Sequence, residues 1–86
     1  MPEVSRFYGI VIRMYHDDHH PPHFHAIYGK YEALVAIEDA WIIGGNLPTR
    51  ALNLVREWAS LHRRELLDLW EKARQLRPLG KIAPLD

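Results

Sequence analysis

The sequence predicts an α+β domain: a three- to four-stranded antiparallel β-meander followed by one long or two consecutive α-helices packed on one face of the sheet. Three observations predict it. Apolar residues alternate with a period of two in short runs before residue 45, they recur at spacings of three and four after residue 48, and turn-forming Gly and Pro separate the runs. The whole pattern lies within 86 residues, a length that builds one core, so residues 1–86 are read as a single domain.

The first strand is expected over residues 8–15, where β-branched and aromatic residues surround Ile10, Ile12 and Met14 at every second position. The polar stretch from His16 to Pro22 follows, and its two prolines cannot sit in a central ladder, so it is a loop. Residues 23–28 alternate again, with Phe24, Ala26 and Tyr28 on one side and His23, His25 and Ile27 on the other. Gly29-Lys30 is a tight two-residue connection to a third strand over residues 31–38, which should pair antiparallel with the second. A short apolar run over residues 41–43 ends at Gly44-Gly45 and reads as a fourth, edge strand.

A helix is expected over residues 48–75, capped by Asn46 or Leu47, because Pro48 suits a first turn that has no use for its missing N–H. Leu52, Val55, Ala59, His62, Leu66, Leu69 and Ala73 form one stripe for burial on the sheet. A hinge near Ser60 would divide this element into two helices. Pro78, Gly80 and Pro84 leave an irregular tail over residues 76–86, with Leu79, Ile82 and Leu85 available for packing.

Composition narrows the function classes. Hydrophobic residues make up 48 % of the chain, enough for a core, and Trp41, Trp58 and Trp70 are expected in it. The absence of cysteine excludes a disulfide framework and a thiolate zinc site, so any metal must be held by His, Asp or Glu. The first residues show no basic and apolar leader pattern, and no apolar run approaches the roughly 18 residues of a membrane span; a cytoplasmic protein is the expectation. Formal charge is zero, with three Lys+Arg against six Asp+Glu in residues 1–47 and eight against five in residues 48–86. Global charge therefore gives no argument for nucleic-acid binding, and Arg63-Arg64 reads as a solvated helix face.

The densest chemistry is the turn His16-Asp17-Asp18-His19-His20-Pro21-Pro22-His23-Phe24-His25, which holds five of the six histidines. On an extended backbone His23 and His25 share a face roughly 7 Å apart at the α-carbon, near enough for both rings to reach one ion. The prolines stiffen the approach to that pair. With His19, His20 or Asp18 as a third ligand, the set would suit zinc or another divalent transition metal. The same imidazoles also suit general acid-base work, with Asp17 or Asp18 orienting a ring, as in a metal-independent ribonuclease that uses Arg13 or Arg50 on the phosphorane. The plain alternative is a polar loop whose histidines face water. His62, on the apolar stripe, reads as a core or boundary histidine.

The stretches Phe7-Tyr8-Gly9-Ile10, Asp18-His19-His20-Pro21-Pro22-His23-Phe24-His25 and Gly44-Gly45-Asn46-Leu47-Pro48-Thr49-Arg50, with a helix carrying Trp58, His62 and Trp70, resemble the small bacterial family called domain of unknown function 4160. The resemblance runs from about residue 4 to about residue 85, and its specific core is Asp-His-x-Pro-Pro-His-Phe-His. It implies that His19, His23 and His25 fall on signature positions, whereas His20 is variable and His16 lies outside. Ile27 departs from the polar residue of the family pattern, which marks that strand face as a contact surface. Members look like products of compact gene pairs beside a protein of the domain of unknown function 2442, similar to toxin-antitoxin modules. The resemblance thus implies a toxin-like protein with a small partner.

Three functions follow as expectations. The first is the toxin-like member of a two-gene module, acting through His19, His23 and His25 with Asp18 orienting a ring. The second is a non-catalytic metal-binding or regulatory module with His19, His23 and His25 as ligands, and the third is the ribonuclease. An uncovered edge strand near Trp41 would be a place for the partner or a second copy to pair.

Overall fold

The computed structural model describes residues 3–16 and 19–86. Five strands run β1 (Glu3–Phe7), β2 (Ile10–Arg13), β3 (His23–Tyr28), β4 (Tyr31–Ala36) and β5 (Ile42–Gly45), followed by α1 (Thr49–Leu61) and α2 (Arg63–Arg74). The strands form one antiparallel meander in the order β1-β2-β3-β4-β5, so the predicted fold class holds and β5 is an edge as expected. The expected second strand has its predicted bounds. The third ends at Ala36 instead of residue 38: the Ile37 N–H still donates to the Pro22 carbonyl at 3.0 Å in the same register, but the proline has no N–H to continue the ladder. The fourth is Ile42–Gly45 rather than residues 41–43.

The first expected strand needs correction. Residues 8 and 9 form a two-residue hairpin turn with φ of 51° at Tyr8 and 80° at Gly9, so the strand begins at Ile10 and a further strand, β1, precedes the turn. Two left-handed residues in succession match the twist of the flanking strands. In β1 the register shifts between Glu3 and Ser5, which places Val4, Ser5 and Phe7 all in buried positions and removes the period-two signal.

Burial alternates along the central strands. Ile10, Ile12, Phe24, Ala26, Ala33 and Val35 are wholly buried, while Val11, Arg13, His25, Ile27 and Leu34 remain half-buried on the opposite face. Across that face the registers place Val11 beside Ile27 and Ile27 beside Glu32, and Arg13 beside His25 and His25 beside Leu34. Trp58 anchors the covered side, with its ring 5.4 Å from Phe7 and 5.7 Å from Phe24 and its indole N–H donated to the Ala83 carbonyl at 2.9 Å. Trp70 is also buried, but Trp41 is 53 % exposed and carries the Arg56 guanidinium 4.0 Å above its ring. Its expected core position is therefore corrected: a cation on the ring face, rather than burial, accommodates this indole.

The helical segment is broken, two residues beyond Ser60. His62 (φ −121°, ψ 25°) is both the C-cap of α1 and the N-cap of α2, and its ring accepts a dual role by pairing Nδ1 with Glu65 at 2.6 Å and packing 5.5 Å from Trp58. Pro48 is itself the N-cap of α1, ahead of Thr49, so neither Asn46 nor Leu47 caps the helix; Leu47 is instead in the core. The tail packs as expected through Leu79 and Ile82, and the Ile82 N–H donates to the Val4 carbonyl at 2.8 Å along the outer edge of β1. Among the described residues no helix is long and apolar enough to cross a membrane.

Candidate functional site

The meander sorts its connections to two ends. The Tyr8-Gly9 and Gly29-Lys30 turns lie at one end, and the long β2–β3 connection with its histidines lies at the other, beside the β4–β5 connection. The hydrogen bond from Ile37 to Pro22 joins the two connections at this second end, which gives the histidine turn a fixed exit into β3.

His23 opens β3 and is buried, and His25 follows two residues later on the same side, as the alternation predicts. Their ring centroids are 5.3 Å apart. Each ring is held through Nδ1. His23 Nδ1–H donates to the Pro21 carbonyl at 2.8 Å, and because a carbonyl oxygen only accepts, Nδ1 carries a proton. His25 Nδ1–H donates to the Glu32 carboxylate at 3.0 Å, which gives the same assignment. A carboxylate on one ring nitrogen orients the imidazole, the arrangement general-base histidines use.

The walls are aromatic. Tyr15 meets the edge of His25 with centroids 4.4 Å apart, and Trp70 lies 5.4 Å from His23 and 5.7 Å from His20. Arg13 is the direct cross-strand neighbour of His25, and its Nε is buried without a hydrogen bond. Pro21 and Pro22 also border a depression of about 450 Å³ with Glu38, Asp39, Arg63 and Leu67.

The predicted residues separate into groups. His23 and His25 are brought together, His20 faces Trp70, and His19 is exposed on the loop. Asp17 and Asp18 lie outside the described residues, so an orienting role for Asp18 falls there too. His16 is drawn elsewhere, its Nε2 bonding to the Arg77 carbonyl at 3.0 Å. Among the described residues no three His, Asp or Glu side chains are grouped to hold a metal ion. Arg50 is likewise not beside the histidines: it lines a cleft with Tyr8, Ile10 and Tyr28 at the far end of the sheet, so of the two candidate arginines only Arg13 neighbours the pair.

Three contributors escaped the sequence reading: Tyr15, Glu32 and Trp70. Glu32 was within reach of it, because the Gly29-Lys30 hairpin sets Tyr28 against Tyr31 and therefore His25 against Leu34, which places Glu32 diagonally on the same face. Trp70 reaches His23 from a helix nearly fifty residues away, and no local signal marks that meeting.

The comparisons bear on the whole arrangement. A family described as Domain of unknown function (DUF4160) matches residues 9–71, a stretch that holds the histidine turn, β2 to β5 and most of both helices. No curated protein and no solved structure matches the chain. With a match over more than half of its length, this chain belongs to the domain of unknown function 4160 family.

Proposed function

We propose that this chain is the toxin-like member of a two-gene, toxin-antitoxin-like module, and that its working surface is the His23–His25 pair. One observation carries the choice of surface: two adjacent imidazoles, with ring centroids 5.3 Å apart, each with Nδ1–H committed to an acceptor. A polar loop of solvated histidines would not hold both rings through Nδ1. The gene-pair setting comes from the family resemblance, which implies a small partner of the domain of unknown function 2442 type. The half-buried face carrying Val11, Ile27 and Leu34 around Arg13 and His25 supports a protein contact next to the pair. His19, exposed on the same turn, stays with the site as a surface-facing candidate.

The test is expression in a bacterial host, alone and with the neighbouring coding frame. Growth arrest by the parent, its relief by the neighbour, and loss of arrest in His25→Ala with the fold retained are expected. Unchanged growth throughout, with no complex on co-purification, overturns the proposal.

The carboxylate-held imidazole favours one specific chemistry for such a protein, metal-independent RNA cleavage. In that reading His25 takes the proton of a 2′-hydroxyl as its oxygen attacks phosphorus, the departing 5′-oxygen takes a proton from a water molecule, the hydroxide so formed recovers the proton from His25, and Arg13 balances the phosphorane charge. Incubation of purified protein with RNA in excess chelator checks it: cleavage by the parent and none by His25→Ala is expected. The metal-binding reading rests on the same two adjacent imidazoles, and stoichiometric metal in untagged protein that disappears in a His23→Ala, His25→Ala double variant would favour it instead.

A further inference from the structure

At the end of the sheet away from the histidines, a cleft of about 330 Å³ opens between the Tyr8-Gly9 turn and the first turn of α1. Its floor is apolar, formed by Ile10, Ala51 and Leu54, and its rim carries the rings of Tyr8 and Tyr28 and the side chain of Arg50. Among the described residues no carboxylate lines it, and Arg50 has no hydrogen bond or ion pair. An unpaired guanidinium beside two aromatic faces over an apolar floor suits a flat ring that carries an anion.

Tyr8 sharpens this. It occupies a left-handed position, φ 51°, in a two-residue turn where Gly, Asn or Asp is the usual occupant. Its ring is 57 % exposed, so the core gains little from a tyrosine there. What the residue does is wall the cleft, and backbone positions held in sparse conformations concentrate at binding sites. The neighbouring Tyr28 is held in turn by Gly9, where an added Cβ would come within 3.4 Å of the Tyr28 ring.

We propose that this cleft binds a nucleotide, with the base against Tyr8 and Tyr28 and the phosphate on Arg50. The site goes beyond the histidine pair and does not depend on it. The chemistry has two sources, a free nucleotide or the 5′-phosphorylated end of a strand, and Lys30 at the adjacent turn, 5.7 Å from the Tyr31 ring, would meet the next phosphate of a strand.

Titration of the full chain by NMR tests it, with adenosine 5′-monophosphate, adenosine, inorganic phosphate and a 5′-phosphorylated tetranucleotide as probes. Adenosine 5′-monophosphate should shift the amide signals of Gly9, Tyr28 and Ala51, with adenosine and phosphate alone each about tenfold weaker or more. Arg50→Ala, a surface change, should weaken the monophosphate about tenfold and leave adenosine unchanged, whereas Tyr28→Ala should weaken both. A tetranucleotide that binds more tightly than the monophosphate assigns the site to strand ends, and one that binds more weakly assigns it to free nucleotide. His25→Ala should bind like the parent. No shift with any probe at millimolar concentration, equal binding by folded Arg50→Ala, or loss of binding in His25→Ala overturns the proposal.

Discussion

His23 and His25 share a face of β3 by the alternation of an extended chain, but it is the acceptor each Nδ1 meets that makes them a defined pair. Long-range ¹H–¹⁵N spectra should therefore show a proton on Nδ1 of both rings. Glu32→Ala should return His25 to a tautomer mixture and leave His23, whose acceptor is backbone, unchanged; an Nε2–H tautomer for either ring in the parent contradicts the geometry. Gly45 makes a different demand. It lies at φ +69°, and a Cβ there would fall on the Glu32 carbonyl oxygen, which accepts the Asn46 N–H at 3.2 Å. Gly45→Ala should cost at least about 2 kcal/mol in a denaturant titration, since both strain and collision act. At the sheet edge Arg6 donates to Glu3 at 2.8 Å and holds its carboxyl below the ordinary value of 4.5. The folded state thus binds the proton less readily than the unfolded chain, so this stabilisation is full above the ordinary value and fades as pH falls through the lowered one. Glu3→Gln should remove that part of the acid slope of the stability curve, a small effect for so exposed a pair.

Among the elements, the interrupted helix and its end show how backbone accounting shapes the chain. His62 stops α1 with its own N–H still donated to Trp58 and Ala59, and it starts α2 by giving its carbonyl to Leu66 at 2.9 Å, so the break leaves few groups unsatisfied. Ser60 contributes by turning its hydroxyl back to the Arg56 carbonyl at 2.9 Å, a bond that bends helices. α2 ends in a complete Schellman arrangement, with Leu76 N–H to the Ala73 carbonyl and Arg77 N–H to the Lys72 carbonyl, and the left-handed position at φ 57° is Leu76. Glycine is the usual occupant, and this leucine is exposed, so it brings no packing in return. Leu76→Gly should raise stability by about 1 kcal/mol, read as a higher denaturant midpoint at unchanged slope. A lower midpoint would mean that the leucine ring of contacts in solution differs from this geometry.

For the whole molecule, the meander places two distinct chemistries at opposite ends of one sheet, imidazoles at the β2–β3 end and tyrosines with Arg50 at the other. The tail completes the core: Leu79 and Ile82 enter it, Ile82 pairs with Val4, and the Ala83 carbonyl receives the Trp58 indole N–H. Ending the chain at Pro78 should cost about 3–6 kcal/mol, from two lost apolar side chains and an orphaned indole N–H, and should expose Trp58 to solvent quenchers. A truncated chain as stable as the parent would show that the tail only rests on the surface. Among the described residues no further strand pairs with β5, the edge strand beside Trp41.

Local pattern in the residues determined much of this protein: β3 and its same-face histidines, the hairpin to β4, the edge strand, the apolar stripe and the packing tail are all written in spacings of two, three and four. Such periods are visible because each residue's side-chain direction follows from the backbone geometry of its own element. β1 was hidden because a bulge erases its period and a tyrosine occupies the turn position where glycine or asparagine would have announced a hairpin. What only the tertiary structure decided was convergence. Trp70 against His23, Glu32 against His25, and Arg50 with the tyrosines rather than the histidines are all meetings across chain separations. Those are fixed by how sheet and helices pack, and no residue carries that information in its immediate neighbours.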